Sequence, residues 1–163
     1  MRFVPPDQVV FVDETGMDDN DAWRYGWSEK GERCLALVSG KRMTRVSLIA
    51  GECNGSLIAP FVFEGYCNAD VFNAYVEHIL LPELTPGQIV VIDNARFHQS
   101  LITKQLIENA GCILKFLPPY SPDLSPIEHR WCPIKQATRK ILRNFTDILS
   151  ALHTVILLTP IKC

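Results

Sequence analysis

Two five-residue strings constrain this chain more than anything else in it. Val9-Val10-Phe11-Val12-Asp13 and Ile89-Val90-Val91-Ile92-Asp93 are apolar runs closed by an aspartate, and they agree in residue type at every position. Continuous apolar runs, as opposed to alternating ones, belong to strands covered on both faces in the middle of a sheet. The two are therefore expected to be central neighbours. Parallel and in register, their backbones would stand about 4.8 Å apart, and both carboxylates would leave the same end of the sheet on the same side. Many α/β proteins close a buried strand with an aspartate to cap a loop or to hold phosphate or metal, so the pair alone leaves function open.

A third carboxylate follows Asp93 with thirty-four residues between them, at the end of Pro118-Pro119-Tyr120-Ser121-Pro122-Asp123-Leu124-Ser125-Pro126-Ile127-Glu128. Ser125 at the N-cap, Pro126 at the first helical position and Glu128 three residues after the cap form a capping-box pattern, which predicts a helix start here. The same pattern gives Glu128 a competing job, because a glutamate closing its own helix cap does not easily serve as a ligand. Pro118, Pro119, Pro122 and Pro126 restrict the backbone ahead of the helix and would hold its start in one place. Asp123 competes for the third position, although its loop setting favours turn capping. Two strand ends and a helix start delivering three carboxylates suit a site that holds divalent metal for phosphodiester chemistry. Asn94 and His98 lie within reach of the same strand end as auxiliary candidates, and a lone histidine is more often structural. Glu14 should point to the opposite sheet face. His78 and His153 fall within helical apolar patterns and read as partly buried.

Between the two strings, residues 44–50 and 56–63 are β-rich runs around Asn54-Gly55, a strong hairpin signal. Residues 34–38 suggest a short extra strand, and residues 14–32 a polar loop holding Trp23, Tyr25 and Trp27. Asn68 can cap a helix whose apolar positions Val71, Phe72, Tyr75, Val76, Ile79 and Leu80 follow the helical repeat up to Pro82. A second helix is expected from Ser100 to Ala110 with Gly111 closing it, then a strand over 112–117, the helix opened by Ser125, and a last helix over 146–158.

A length of 163 residues with 47% apolar composition fits one α/β domain spanning residues 1–163. No apolar run is long enough to cross a membrane and the N-terminus lacks a secretory pattern, so a cytoplasmic protein with no membrane partner is expected. Six cysteines without a C-x-x-C pair argue against a zinc site and give no disulfide framework. The net charge of −2 hides an asymmetry: residues 1–128 carry 10 Lys and Arg against 17 Asp and Glu, and residues 129–163 carry 6 against 1. Arg130, Lys135, Arg139, Lys140 and Arg143 lie in one stretch without an intervening acid, which suits phosphate contact as well as a plain solvated helix face.

The strings Phe11-Val12-Asp13-Glu14-Thr15-Gly16, Arg24-Tyr25-Gly26-Trp27, Asp93-Asn94-Ala95-Arg96-Phe97-His98 and Leu117 through Trp131 resemble the DDE transposases of bacterial insertion sequences, in the branch akin to mariner elements. The resemblance covers residues 8–157. It implies an RNase H-like fold, a five-stranded mixed sheet flanked by helices, with Asp13, Asp93 and Glu128 as catalytic triad and ligands of two Mg²⁺ or Mn²⁺ ions. It further implies cut-and-paste transposition: cleavage and strand transfer at the element's DNA ends, commonly into a TA dinucleotide, by a protein that associates with the nucleoid when on DNA. The partners it implies are those DNAs, a helix-turn-helix polypeptide of the same element, and a homodimer.

Two features depart from the family. The N-terminal helix-turn-helix domains that read element ends are absent from this sequence, and Pro133 falls inside the helix that carries Glu128, where a proline costs about 3 kcal/mol. These departures keep a second reading open, a non-enzymatic remnant that folds without autonomous activity. A phosphatase of the haloacid-dehalogenase type ranks lower, because its signature needs an aspartate where this chain has Thr15.

Overall fold

The computed structural model describes residues 4–18, 29–31, 45–119 and 121–159. In chain order the elements are β1 (Val9–Asp18), β2 (Arg45–Cys53), β3 (Ser56–Glu64), α1 (Ala69–Tyr75), β4 (Ile89–Ile92), α2 (Leu101–Asn109), β5 (Ile113–Phe116), α3 (Glu128–Ile141) and α4 (Ile148–Leu158). The strands form one sheet in the order β3-β2-β1-β4-β5. The first three make an antiparallel meander, while β4 and β5 run parallel to β1. Parallel neighbours need crossover connections, which the α1 and α2 segments supply. This is the five-stranded mixed sheet of the RNase H-like fold.

Strand alternation divides the core in two. Val10, Val12, Ile49, Val90 and Ile92 face α1 and α2, where they bury Phe72, Tyr75 and Ile107. Met17, Val46, Leu48 and Ala50 face the other way, onto Ile127, Trp131 and Ile134 of the α3 segment and Ile148 and Leu152 of α4. Burying each such side chain contributes about 1.5–3 kcal/mol, so both helical layers are held firmly to the sheet.

Several boundaries differ from expectation. β1 does not stop at Asp13: it stays paired with β2 from Asp13↔Ala50 to Asp18↔Arg45, after its parallel partner β4 has ended at Ile92. The polar residues 14–18 are strand because β2, nearly thirty residues on, satisfies their backbone. The helix after Asn68 is α-helical only to Tyr75, then widens into a π-turn over Val76–Leu80 ahead of Pro82, which has no N–H to continue the ladder. The last helix opens at Asp147, whose Oδ1 accepts the Ser150 N–H at 2.7 Å. His78 and His153 are exposed, not partly buried. The Asn54-Gly55 turn forms as expected, both residues adopting the positive φ (48° and 75°) that such a hairpin requires. Gly16 also has a steric role: a Cβ there would collide with the Arg45 guanidinium, which lies across it to reach Asp18 at 3.6 Å and the Tyr66 ring at 4.6 Å. The strand expected over 34–38 and the aromatics Trp23, Tyr25 and Trp27 lie outside the described residues. No helix among the described residues is long and apolar enough to cross a membrane.

Candidate active site

The parallel ladder pairs Val9 with Ile89 through Val12 with Ile92, so Asp13 and Asp93 are the next residues on adjacent strands. Asp13 is therefore at the end of the parallel ladder but in the interior of its own strand. Asp93 is held by its own loop: its Oδ1 accepts the Ala95 N–H at 3.1 Å and the Nδ1–H of His98. His98 is 1% exposed, with its ring centroid 4.1 Å from both Phe72 and Phe97. The carboxylate can only accept, so Nδ1 carries the proton and Nε2 is left buried with no hydrogen-bond partner among the described residues. Hydrogen bonding from His98, against the opposing effect of burial, holds the Asp93 carboxyl below the usual carboxylate range. Asn94 is exposed at the cleft, its Oδ1 accepting from Gln99 Nε2 at 2.6 Å.

Asp13 behaves oppositely. Burial pushes its carboxyl above the ordinary value and the Asp93 charge adds to this, while the indole N–H of Trp131, donating to Oδ2 at 2.7 Å, pulls it back. Glu14 is turned to the other face as expected. There it stands beside Cys67, whose thiol is pushed up to about 12 by burial, with the Glu14 charge adding to the effect.

The expected capping box is not formed. α3 begins at Glu128, behind a tight turn in which the N–H groups of Glu128, His129 and Arg130 reach the carbonyls of Ser125, Pro126 and Ile127 at 3.2, 3.1 and 2.9 Å. Ile127, fully buried beneath the helix, takes a helical conformation at the cap position, so backbone carbonyls replace the Ser125 hydroxyl as acceptors. The Glu128 carboxylate consequently has no hydrogen-bond partner among the described residues and stands at the rim of the cleft. Partial burial raises its carboxyl, the charges of Asp13 and Asp93 add to the rise, and Lys135 opposes it. Asp123 is exposed in a short turn and is not among the cleft-lining residues.

Asp13, Asp93 and Glu128 thus line one cleft of about 400 Å³, walled by Val12, Leu117, Pro118, Pro119 and Ser125. Glu128 feels the charges of both aspartates and Asp13 that of Asp93, and both carboxyls are raised for that reason among others. Hard oxygen donors that repel one another suit a hard divalent cation such as Mg²⁺ or Mn²⁺. The shell is not closed in advance, since no three His, Cys, Asp or Glu among the described residues converge as a ready metal cage.

Of the basic stretch, Lys135 and Arg139 are half-buried, and Lys140 and Arg143 are exposed. Arg130 is set apart, because its Nη2 donates to the Gly55 carbonyl and its Nε stands 3.6 Å from Glu52. It clamps α3 to the β2–β3 turn. Trp131 had no role assigned from sequence. Its partner lies 118 residues away, and no local pattern points to it.

Residues 8–150 match the family described as DDE superfamily endonuclease. The chain belongs to this family. No curated protein matches the chain by sequence. Among solved structures, the chain is similar to one in the Mos1 strand transfer complex, at 17% identity and TM-score 0.65, covering 92% of this chain and 52% of the other. A Mos1 transposase paired-end complex with the left transposon end gives 14% identity and TM-score 0.59, with 92% and 52% covered. The catalytic core domain of BIV integrase gives 12% identity and TM-score 0.57, with 93% and 82% covered. The chain therefore spans about half the length of the Mos1 chains it matches and most of the integrase core.

Proposed function

We propose that this DDE domain is the catalytic part of a transposase that cleaves DNA at the ends of its own element and joins them to target DNA, at TA dinucleotides. The observation that carries this reading is that Asp13, Asp93 and Glu128, from two adjacent parallel strands and a separate helix, line one cleft. The similarity to complexes of Mos1 transposase with a transposon end supports it.

Asp13, Asp93 and Glu128 would hold two Mg²⁺ or Mn²⁺ ions. When bound, such ions lower the pKa of water or of a 3′ hydroxyl and neutralise charge building on phosphorus oxygens during in-line displacement. His98 fixes the orientation of Asp93, and the uncapped Glu128 side chain is left available from the opposite wall. Lys135, Arg139, Lys140 and Arg143 follow Glu128 along the same segment, where they would position backbone phosphates. Arg130, already engaged with Glu52 and Gly55, would serve by fixing the helix. Recognition of the element's end sequence would fall to a helix-turn-helix polypeptide, and pairing of the two ends to a homodimer.

The test is metal-dependent cleavage of DNA carrying the element's own ends, with and without such a partner, comparing wild type and Glu128→Gln. Loss of cleavage in the variant is expected, and equal cleavage would remove Glu128 from the site. A second reading, a non-enzymatic remnant that folds but does no chemistry, is favoured by Pro133 within α3. Cleavage restored by the added partner would exclude it.

A further inference from the structure

We infer that Trp131 is a positioning residue: its indole N–H fixes which oxygen of Asp13 is offered to the cleft and ties the helix bearing Glu128 to the strand bearing Asp13. This rests on the carboxylate site proposed above. Trp131 follows Glu128 by three residues, so the two side chains leave neighbouring parts of one helical face. Its ring is 5% exposed and packs in the core layer with Ile127 and Ile134. At 2.7 Å, the Nε1–H to Asp13 Oδ2 bond is at the short end of the N–H···O range, as expected for an ionised acceptor.

The chemistry of the donor matters. Indole nitrogen donates and never accepts, so it can hold a carboxylate without competing for a cation. Asp13 Oδ2 is engaged in this way, and Oδ1 has no side-chain donor among the described residues. His98 does the corresponding work on Asp93, where both side-chain and backbone donors converge on Oδ1 and leave Oδ2. Each aspartate therefore has one oxygen held by a buried ring and one that is not. Ring packing is largely served by phenylalanine and the hydrogen bond is not, so the hydrogen bond is the testable part.

Trp131→Phe keeps an aromatic ring in the core and removes the donor, along with the five-membered part of the indole. The variant should remain folded with a somewhat lower melting temperature, because the smaller ring fills less of the core, while Mn²⁺ affinity by calorimetry falls roughly ten- to a hundredfold, as for loss of other groups that orient metal ligands. DNA binding without metal should be unchanged, so that kcat falls and KM for DNA does not. A second measurement needs no metal and leaves Trp131 in place: in ¹H–¹⁵N spectra the Trp131 indole resonance of folded Asp13→Ala should lie upfield of its wild-type position. An indole resonance indifferent to Asp13→Ala, or a folded Trp131→Phe with wild-type Mn²⁺ affinity, would overturn the inference. Asp93→Asn and Glu128→Gln separate the two levels. If both keep Mn²⁺ binding, the carboxylate site itself is wrong. If both lose it and Trp131→Phe does not, only the positioning role fails.

Discussion

Replacing Pro133 with alanine should stabilise this domain. Pro133 is the sixth residue of α3, and the helix continues across it from Glu128 to Ile141. Without an N–H, Pro133 cannot bond the His129 carbonyl four residues back, and its ring crowds that same carbonyl, a combination that costs about 3 kcal/mol relative to alanine in a helix interior. Pro133 is exposed, so truncating its ring forfeits little packing. Against the gain stands a freer unfolded chain, worth about 0.4–1 kcal/mol. The net expectation is a stabilisation of about 2 kcal/mol. For a chain of 163 residues that corresponds to a rise in Tm of about 4–8 °C, at about 2–4 °C per kcal/mol. Urea unfolding should show a higher midpoint with an unchanged slope, since the exposed surface does not change. A midpoint that stays or falls would refute the reasoning. It would mean that the neighbouring ties, Arg130 to Gly55 and Trp131 to Asp13, already hold the helix in a path that suits proline.

Three further outcomes follow from the site. Mn²⁺ at a hundred times its Kd should stabilise the wild type by about 2.7 kcal/mol in thermal melts; chelation should reverse the shift and Asp93→Asn should abolish it. In the metal-free protein Asp13 and Glu128 have raised carboxyl pKa values, so their contribution to stability is most favourable below the ordinary carboxylate range and is lost as pH rises through the raised values. Asp93, held low, contributes above that range and loses its contribution as pH falls through its lowered value. The stability of Asp13→Asn relative to wild type should therefore grow between pH ~3 and pH ~8, and a flat difference would contradict the burial and repulsion described. Replacing Lys135 and Arg139 together with glutamine should reduce the slope of log K against log salt for DNA binding by about 2, and an unaltered slope would make them a plain solvated face.

The central pair of strands was legible because both runs lack alternation and end in the same residue, and the Asn54-Gly55 hairpin and the Asn68 cap were legible because each is a local pattern. What was not legible depends on distant partners. Residues 14–18 are polar enough to pass for a loop, and only pairing with β2 makes them strand. Ser125 and Glu128 have the spacing of a capping box, but burial of Ile127 turns the backbone so that carbonyls take over the cap. Arg130 belongs by sequence to a basic stretch and by structure to Glu52 and Gly55, 75 residues or more away. Local patterning carried the three carboxylates, while the groups that orient or free them depended on tertiary packing.

The β1–β4 ladder also sets the order in which the chain can become competent. Asp13 and Asp93 are about eighty residues apart in sequence and meet only through four parallel residue pairs. Closing a loop of that length costs on the order of 4 kcal/mol in chain entropy before any pairing compensates, and such non-local parallel contacts are slow to form. The antiparallel meander of β1, β2 and β3 can assemble earlier from nearer contacts, yet by itself it carries only Asp13. A nascent or partly unfolded chain therefore lacks the aspartate pair, and the cleft is incomplete until the last long-range closure of the sheet.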